Sequence, residues 1–499
     1  MIGGLRLIRR QVVLDLVSIA SSVAGHLCGN LAGKSAGVLF ACVVTLSTSG
    51  LTKRWTVSFP LAPVVLLHAA EYLIQWYLPS YTWGNSSLWL LINIPSLLCV
   101  TFSSTLTVLF PAVELPPIPH AVYGVGVKDF YIPMLVQQHD GKVAEQQLPA
   151  RLLYPTDTNH YSGSIPYLNI QSAKEFCLSS VKFGAPPPLR KHPWILHNWM
   201  LIKLRAVPDA PPAQNVQNAP FVVCSHGLGG CIDIYSYQLM ALTARLGAVV
   251  LTFTHMDGSA SCIPLQSGDV IVREHIPDKD AVYTRRKQTN VRVQELLLAT
   301  DYVLQSKDEE ISNLHTVMSM ASPNAFFMGH SFGATTAIAA AHQRPGLVRG
   351  VIAHEPVMDW IPDEARTGFL FPDRVAGLVA SLETKPPRDV LTPPTKASPV
   401  HDKPILVMNS QEWTDKKWGM ADLLEEMSNK KRLGQSETSR HILVSQSKHM
   451  EFSDLGMLNP NWLSQAVGMV GPRVPRETAE EISAHTISFI QDVNKQKVS

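Results

Sequence analysis

Hydrophobic positions along this chain follow two rhythms. Up to about residue 115 they come in long blocks, at Val12–Leu31, Ala36–Leu51, Phe59–Leu78 and Leu88–Phe110. The last block is uncharged and long enough to cross ~30 Å of hydrocarbon at about 1.5 Å per residue. Four crossings are predicted, with two or three as the fallback. From about residue 116 the rhythm shortens. Runs at Phe221–Cys224, Ala248–Phe253, Ala325–Met328, Gly350–Ala353, Pro404–Met408 and His441–Val444 predict strands. Amphipathic stretches at Tyr235–Leu246, Gln288–Leu304, Gly333–Gln343, Trp418–Met427 and Ala479–Asn494 predict helices. Strands alternating with helices predict an α/β domain, a mostly parallel sheet covered by helices. Residues 1–115 thus read as an all-α transmembrane region and 116–499 as the α/β domain, with proline-rich loops at Ala206–Pro220 and Lys385–Pro404.

Composition supports the division. Only 16% of the 499 residues are charged, against about 25% in ordinary globular chains. Residues 1–115 carry 6 Lys/Arg and 3 Asp/Glu, so the deficit sits there. A cleaved signal peptide has one apolar core of about 7–15 residues and does not explain several blocks. Arg6–Arg10 and Lys53–Arg54 place the N-terminus and the second loop in the cytoplasm, so the α/β domain of a multi-pass membrane protein is expected on the cytoplasmic face. The Asn85 sequon then falls in a non-cytoplasmic loop. Beyond residue 115 stand four cysteines (Cys177, Cys224, Cys231, Cys262) without a close CxxC pair, which fits reduced thiols and argues against a zinc site. A formal net charge of +2 leaves no electrostatic footprint for nucleic acid.

The chemistry centres on Gly329-His330-Ser331-Phe332-Gly333, placed between a predicted strand and a predicted Ala-rich helix. A G-x-S-x-G turn there is the nucleophile elbow of the α/β-hydrolase fold: flanking glycines relieve crowding, and the serine hydroxyl is exposed. An elbow serine needs two backbone N–H donors for the oxyanion. Phe332 supplies one, and the glycine-rich turn Ser225-His226-Gly227-Leu228-Gly229-Gly230 supplies Leu228. Read as a phosphate loop, that turn lacks the required lysine. The base is a histidine C-terminal to the serine. His449, just after the last predicted strand, suits the role better than His441, His485 or His401. The acid has three candidates, Glu355, Asp359 and Glu412, and spacing does not separate Glu355 from Glu412. Trp194–Leu204 puts Ile195, Leu196, Trp199 and Ile202 on one helical face, for a bilayer, an acyl pocket or packing on the sheet; Gly368–Phe371 invites similar readings.

Across roughly residues 118–455 the chain resembles the platelet-activating-factor acetylhydrolase family (plasma and isoform II, lipoprotein-associated phospholipase A2-like). The resemblance rests on PHAVYGVGVKDF (Pro119–Phe130), ARLLYPTD (Ala150–Asp157), SHGLGG (Ser225–Gly230), THMDGSAS (Thr254–Ser261), GHSFGA (Gly329–Ala334), RGVIAHEPVM (Arg349–Met358), ILVMNSQEW and SKHMEF. It implies Ser331 as nucleophile, His449 as base, and Leu228 and Phe332 as oxyanion donors. An ungapped register from the elbow puts Glu355 where the family has aspartate, and Ala334 stands where the family usually has glycine. Implied with these are a calcium-independent esterase on 1-alkyl-2-acetylglycerophosphocholine and other short or oxidised sn-2 chains, a phospholipid substrate on a lipid bilayer, and no cofactor or metal. The membrane segment is not part of the family pattern. Alternatives are a broad carboxylesterase, lipase or thioesterase, an acyltransferase, and a membrane scaffold with a degenerate hydrolase domain.

Overall fold

The computed structural model describes residues 115–137, 143–157, 164–184, 196, 199–272, 281–305, 314–361, 403–418 and 436–496. The four predicted crossings, the Asn85 sequon, His401, Gly368–Phe371 and all of the predicted helix Trp418–Met427 except Trp418 lie outside the described residues. Among the described residues no helix is long and apolar enough to cross a membrane. The chain divides into two compact units, one of Met1–Glu114 with His192–Ile202 and the other of Leu115–Lys191 with Lys203–Ser499.

The second unit is built on a nine-stranded sheet. Its strands are β1 (Gly124–Gln137), β2 (Val143–Thr156), β3 (Val207–Pro208), β4 (Ala219–Ser225), β5 (Val249–Phe253), β6 (Ala321–His330), β7 (Val348–His354), β8 (Ile405–Ser410) and β9 (Arg440–Val444). Their spatial order is β9-β8-β7-β6-β4-β5-β2-β1-β3. Strands β4 to β9 pair in parallel. All six were predicted: those inside the sheet are buried on both faces and read as apolar runs, while the edge strand β9 is only partly buried. The long hairpin of β1 and β2, antiparallel throughout and joined antiparallel to β5, was not predicted. Pro133 and Pro149 interrupt its runs, and Arg151 sits within it, bonded to Asp129 and Asp233. The sheet is therefore mixed at one end.

Four helices cover it: α1 (Ser236–Leu246), α2 (Ala281–Gln305), α3 (Phe332–Gln343) and α4 (Pro475–Lys495). Helices α2 and α3 pack together with α3 on β6 and β7, while α1 and α4 pack together on the other face. On the first face the core joins Phe221, Val223, Leu251, Phe327 and Val351 to Leu296, Ala337 and Ile338. On the second, Phe326 of β6 meets Phe489 of α4 edge to face at 6.4 Å. Strand alternation explains the split, since neighbouring residues of one strand point to opposite faces.

The predicted helix Trp194–Leu204 is not a single helix. Trp199–Leu201 forms a 3₁₀ turn, and Lys203–Leu204 pairs as a short strand with Ile165–Pro166. Those ladder bonds take the backbone that a helical face would need.

Candidate active site

Strand β6 ends at His330, and helix α3 begins at Phe332, which leaves Ser331 alone in the turn between them. Its backbone is held at φ 56°, ψ −118°, outside the helical and extended regions that a serine prefers. The surroundings enforce this. A Cβ at Gly333 would lie 1.9 Å from the Ser225 carbonyl oxygen, and one at Gly329 would lie 2.2 Å from the Gly333 backbone. Only glycine lets the start of α3 press onto β4 and β6, and that pressure presents Ser331 at the end of the sheet. Ser331 is 8% exposed, and its Oγ makes no hydrogen bond among the described residues.

Two unpartnered N–H groups border the serine. In the turn after β4, the N–H of Gly227 is bonded to Tyr235 Oη, that of Gly229 to the Ser259 carbonyl and that of Gly230 to the Gly227 carbonyl. The Leu228 N–H has no partner among the described residues, and neither does Phe332 at the first position of α3. A Cβ at Gly227 would stand 3.4 Å from Ser331 Cβ, so this turn rests against the elbow. Free N–H groups at a helix start and an adjacent turn suit a developing oxyanion.

Three strand ends assemble the acid and base. Glu355 follows β7, fully buried at φ 52°, and its N–H bonds the Met408 carbonyl of β8 at 2.8 Å. Its Oε2 lies 2.5 Å from His449 Nδ1 and 3.1 Å from His330 Nε2. Its Oε1 accepts from the Ser410 N–H at 3.0 Å and from the Ser410 hydroxyl. Burial alone would raise the Glu355 carboxyl, but the His449 and His330 imidazoles outweigh it and hold it well below the usual carboxylate range. The His449 ring is clamped between Trp413, stacked at 4.9 Å and 17°, and His330 at 4.5 Å. With Nδ1 committed to Glu355, Nε2 is left to exchange a proton.

Glu412 reaches the same histidine by another route. Its Oε2 accepts the backbone N–H of His449 at 3.1 Å while Oε1 takes Lys416 at 2.8 Å. It fixes the loop, and Glu355 fixes the ring. Asp359 is exposed, its carbonyl taking Arg286. His441 Nε2 lies 3.0 Å from Asn409 Nδ2, and His485 sits on α4, its carbonyl near Arg440. Neither contacts Glu355.

His330, Glu355 and His449 bring possible ligand atoms within 4.8 Å of one another, the one such cluster among the described residues. A zinc ion at about 2.0–2.2 Å from each ligand would spread nitrogen and oxygen to roughly 3.3 Å. The Glu355–His449 separation of 2.5 Å is that of a shared proton instead.

Residues 202–365 match the family model "Platelet-activating factor acetylhydrolase, isoform II", and residues 313–449 match that of the prolyl oligopeptidase family. The chain is a serine hydrolase of the α/β-hydrolase superfamily with a domain like that of the acetylhydrolases. The first match takes in Leu228, Ser331, Phe332 and Glu355, and the second takes in Ser331, Glu355 and His449. Solved structures with a similar trace include a ferulic acid esterase from Streptomyces cinnamoneus, 17% identical, with TM-score 0.48 over 76% of this chain and 93% of that one. A dienelactone hydrolase from Anabaena variabilis is 14% identical, with TM-score 0.30 over 68% and 95%. An esterase from Pyrobaculum calidifontis is 12% identical, with TM-score 0.31 over 72% and 85%. No curated protein matches the chain.

Beneath the site lies a second set that sequence reasoning missed. Ser225 Oγ is 2.8 Å from His255 Nε2, and His255 Nδ1 is 2.5 Å from Glu295 Oε2. The His255 backbone N–H donates to His226 Nε2 at 3.0 Å, which ties this set to the oxyanion turn, and Arg292 donates to the His226 carbonyl at 2.8 Å and to Ser259 Oγ, with its guanidinium 4.2 Å over the Phe332 ring. Burial, then Arg292 and His226, pulls His255 well down, and burial with Asp257 pushes Glu295 well up. Ser225 and His255 fall in SHGLGG and THMDGSAS, which the family resemblance marks without a role for either side chain.

Proposed function

We propose that this chain is a membrane-anchored, calcium-independent hydrolase that cleaves sn-2 acyl esters of platelet-activating-factor-like, short-chain or oxidised phospholipids. The observation that carries the reading is the family match over residues 202–365, a stretch that spans the oxyanion turn, the elbow and Glu355. In this reading Ser331 Oγ attacks the ester carbonyl as His449 takes its proton, and Glu355 orients and stabilises the imidazolium. The Leu228 and Phe332 N–H groups hold the oxyanion, each such donor contributing about 3 kcal/mol. His449 then protonates the lysolipid oxygen, and water, deprotonated by the same imidazole, releases the acid. The apolar blocks before residue 115 support the anchor, with the catalytic unit on the cytoplasmic side.

The test is turnover of phosphatidylcholines differing only at sn-2. Acetyl, butyroyl and oxidatively truncated chains are expected to be cleaved at least tenfold faster than palmitoyl, on the scale that a filled pocket discriminates. Equal rates on all chains, or activity confined to soluble aryl esters, would replace the phospholipid reading by a broad carboxylesterase. For the anchor, alkaline carbonate should leave the full chain in the membrane pellet.

A further inference from the structure

The residue before the nucleophile does more than fill the elbow. His330 Nε2 shares Glu355 Oε2 with His449, at 3.1 Å. Its other nitrogen, Nδ1, lies 3.1 Å from Tyr235 Oη, and Tyr235 Oη accepts the N–H of Gly227 at 2.9 Å. The ring is buried, stacked on Phe452 at 5.9 Å and 10° and edge-on to Tyr235 at 5.8 Å.

The proton positions along this chain follow from its ends. The Glu355 carboxylate only accepts, so His330 Nε2 carries a hydrogen. Burial and the neighbouring His449 lower His330 to about 4, so its ring is neutral and Nδ1 is an acceptor. Tyr235 therefore donates its hydroxyl proton to Nδ1 and takes the Gly227 N–H on a lone pair. The chain runs one way, from the oxyanion turn through Tyr235 and His330 to the acid.

Both ends matter for the chemistry. Gly227 immediately precedes Leu228, whose N–H is unpartnered. A Cβ on Gly227 would meet Tyr235 Oη at 3.0 Å and the His330 carbonyl at 3.1 Å, so the turn is seated on these two residues. At the other end, Ser410 supplies two donors to Oε1, while His330 and His449 meet at Oε2. Without His330, the oxygen that orients His449 loses its second donor.

We propose that His330 and Tyr235 are positioning residues that lock the oxyanion turn and the triad acid into one register, so that losing either lowers kcat while leaving KM nearly unchanged. The inference rests on the serine-hydrolase reading of Ser331, Glu355 and His449. Neither residue needs to touch substrate: they act by keeping the Leu228 N–H and the His449 ring fixed relative to Ser331, and preorganisation of that kind is expressed in the transition state.

The experiment uses the full-length chain in detergent with p-nitrophenyl acetate and a fluorophosphonate probe, on wild type, Tyr235→Phe, His330→Leu, His330→Gln and the Tyr235→Phe/His330→Leu double variant. Tyr235→Phe keeps the ring and removes only the hydroxyl. It should lower kcat and the labelling rate by about 10–100-fold, with KM within about twofold. His330→Leu should lose at least as much. His330→Gln, which retains an N–H donor for Glu355, should recover at least about fivefold of that loss. The double variant should be no worse than about twice the poorer single, because the two act as one chain.

Wild-type kcat in Tyr235→Phe would overturn the inference. So would losses that multiply in the double variant, no rescue by glutamine, or a change confined to KM. Absence of labelling in wild type would instead overturn the hydrolase reading on which it rests, so the two failures are told apart.

Discussion

Ser225, His255 and Glu295 make a serine–histidine–carboxylate set one strand away from Ser331, His449 and Glu355, since Ser225 pairs with Gly329 in the sheet. In both sets a histidine Nδ1 lies 2.5 Å from a glutamate. The difference is everything around them. Ser225 and His255 are fully buried, Ser225 Oγ is already paired with His255, and burial pulls that histidine well down and pushes Glu295 well up. Ser331 stands on a strained turn with a free hydroxyl and two unpartnered N–H groups beside it, and the His449 side chain keeps 24% of its surface open. Its acid is held ionised rather than neutral. Residue types alone do not make a reactive site. Exposure, backbone strain and unsatisfied donors decide it.

The largest effect that separates the sets is removal of each serine. Ser331→Ala should cut turnover by about 10⁴-fold or more. Ser225→Ala should leave turnover within about tenfold and lower the melting temperature, because His255 Nε2 loses its buried partner at a cost of about 1–3 kcal/mol. Ester hydrolysis and thermal melts on the same preparations check both.

Next come the carboxylates. Glu355→Gln should lower kcat by about 10³–10⁴-fold, the scale on which a triad acid acts. Glu412→Gln, which only loosens the backbone of His449, should cost roughly tenfold. Steady-state kinetics on the two variants would reverse the assignment if the Glu412 variant proved the worse.

A smaller contrast tests the elbow. Gly333→Ala drives a methyl onto the Ser225 carbonyl and should destabilise the domain by roughly 3 kcal/mol or more, whereas a Cβ at Gly346 meets nothing within 4 Å and Gly346→Ala should be close to neutral. Denaturant titrations give both values.

The smallest contrast is in pH. The folded state holds Glu355 below its ordinary value, so its contribution is complete above about pH 4.3 and is lost as the pH falls below that. His330 is also lowered, to about 4, so the unfolded chain binds the extra proton, and stability drops as the pH falls from about 6.5 toward 4. Melting temperatures between pH 7 and pH 4 should fall less steeply in His330→Gln than in wild type.

Much of this was legible in the sequence, for physical reasons. Strands β4, β5, β7 and β8 and the end of β6 are buried on both faces and announce themselves as apolar runs, the edge strand β9 being only partly buried, and G-x-S-x-G after β6 marks the elbow. The hairpin of β1 and β2 was not legible, because its prolines and charges find partners only across the ladder. Spacing could not choose between Glu355 and Glu412, since both follow adjacent parallel strands and both reach His449, one at its ring and one at its backbone. The link from Tyr235 to His330 spans 95 positions, and that from Ser225 to His255 spans 30. Such contacts exist only once the sheet brings the strand ends together.

The central claim is that Ser331, and not the look-alike Ser225, is the reactive serine. Labelling the full-length chain with a fluorophosphonate, followed by mass-spectrometric mapping of the adduct, tests it most directly. The account predicts a single adduct on Ser331 that disappears in Ser331→Ala and persists in Ser225→Ala. An adduct on Ser225, or undiminished labelling of the Ser331→Ala chain, would contradict it.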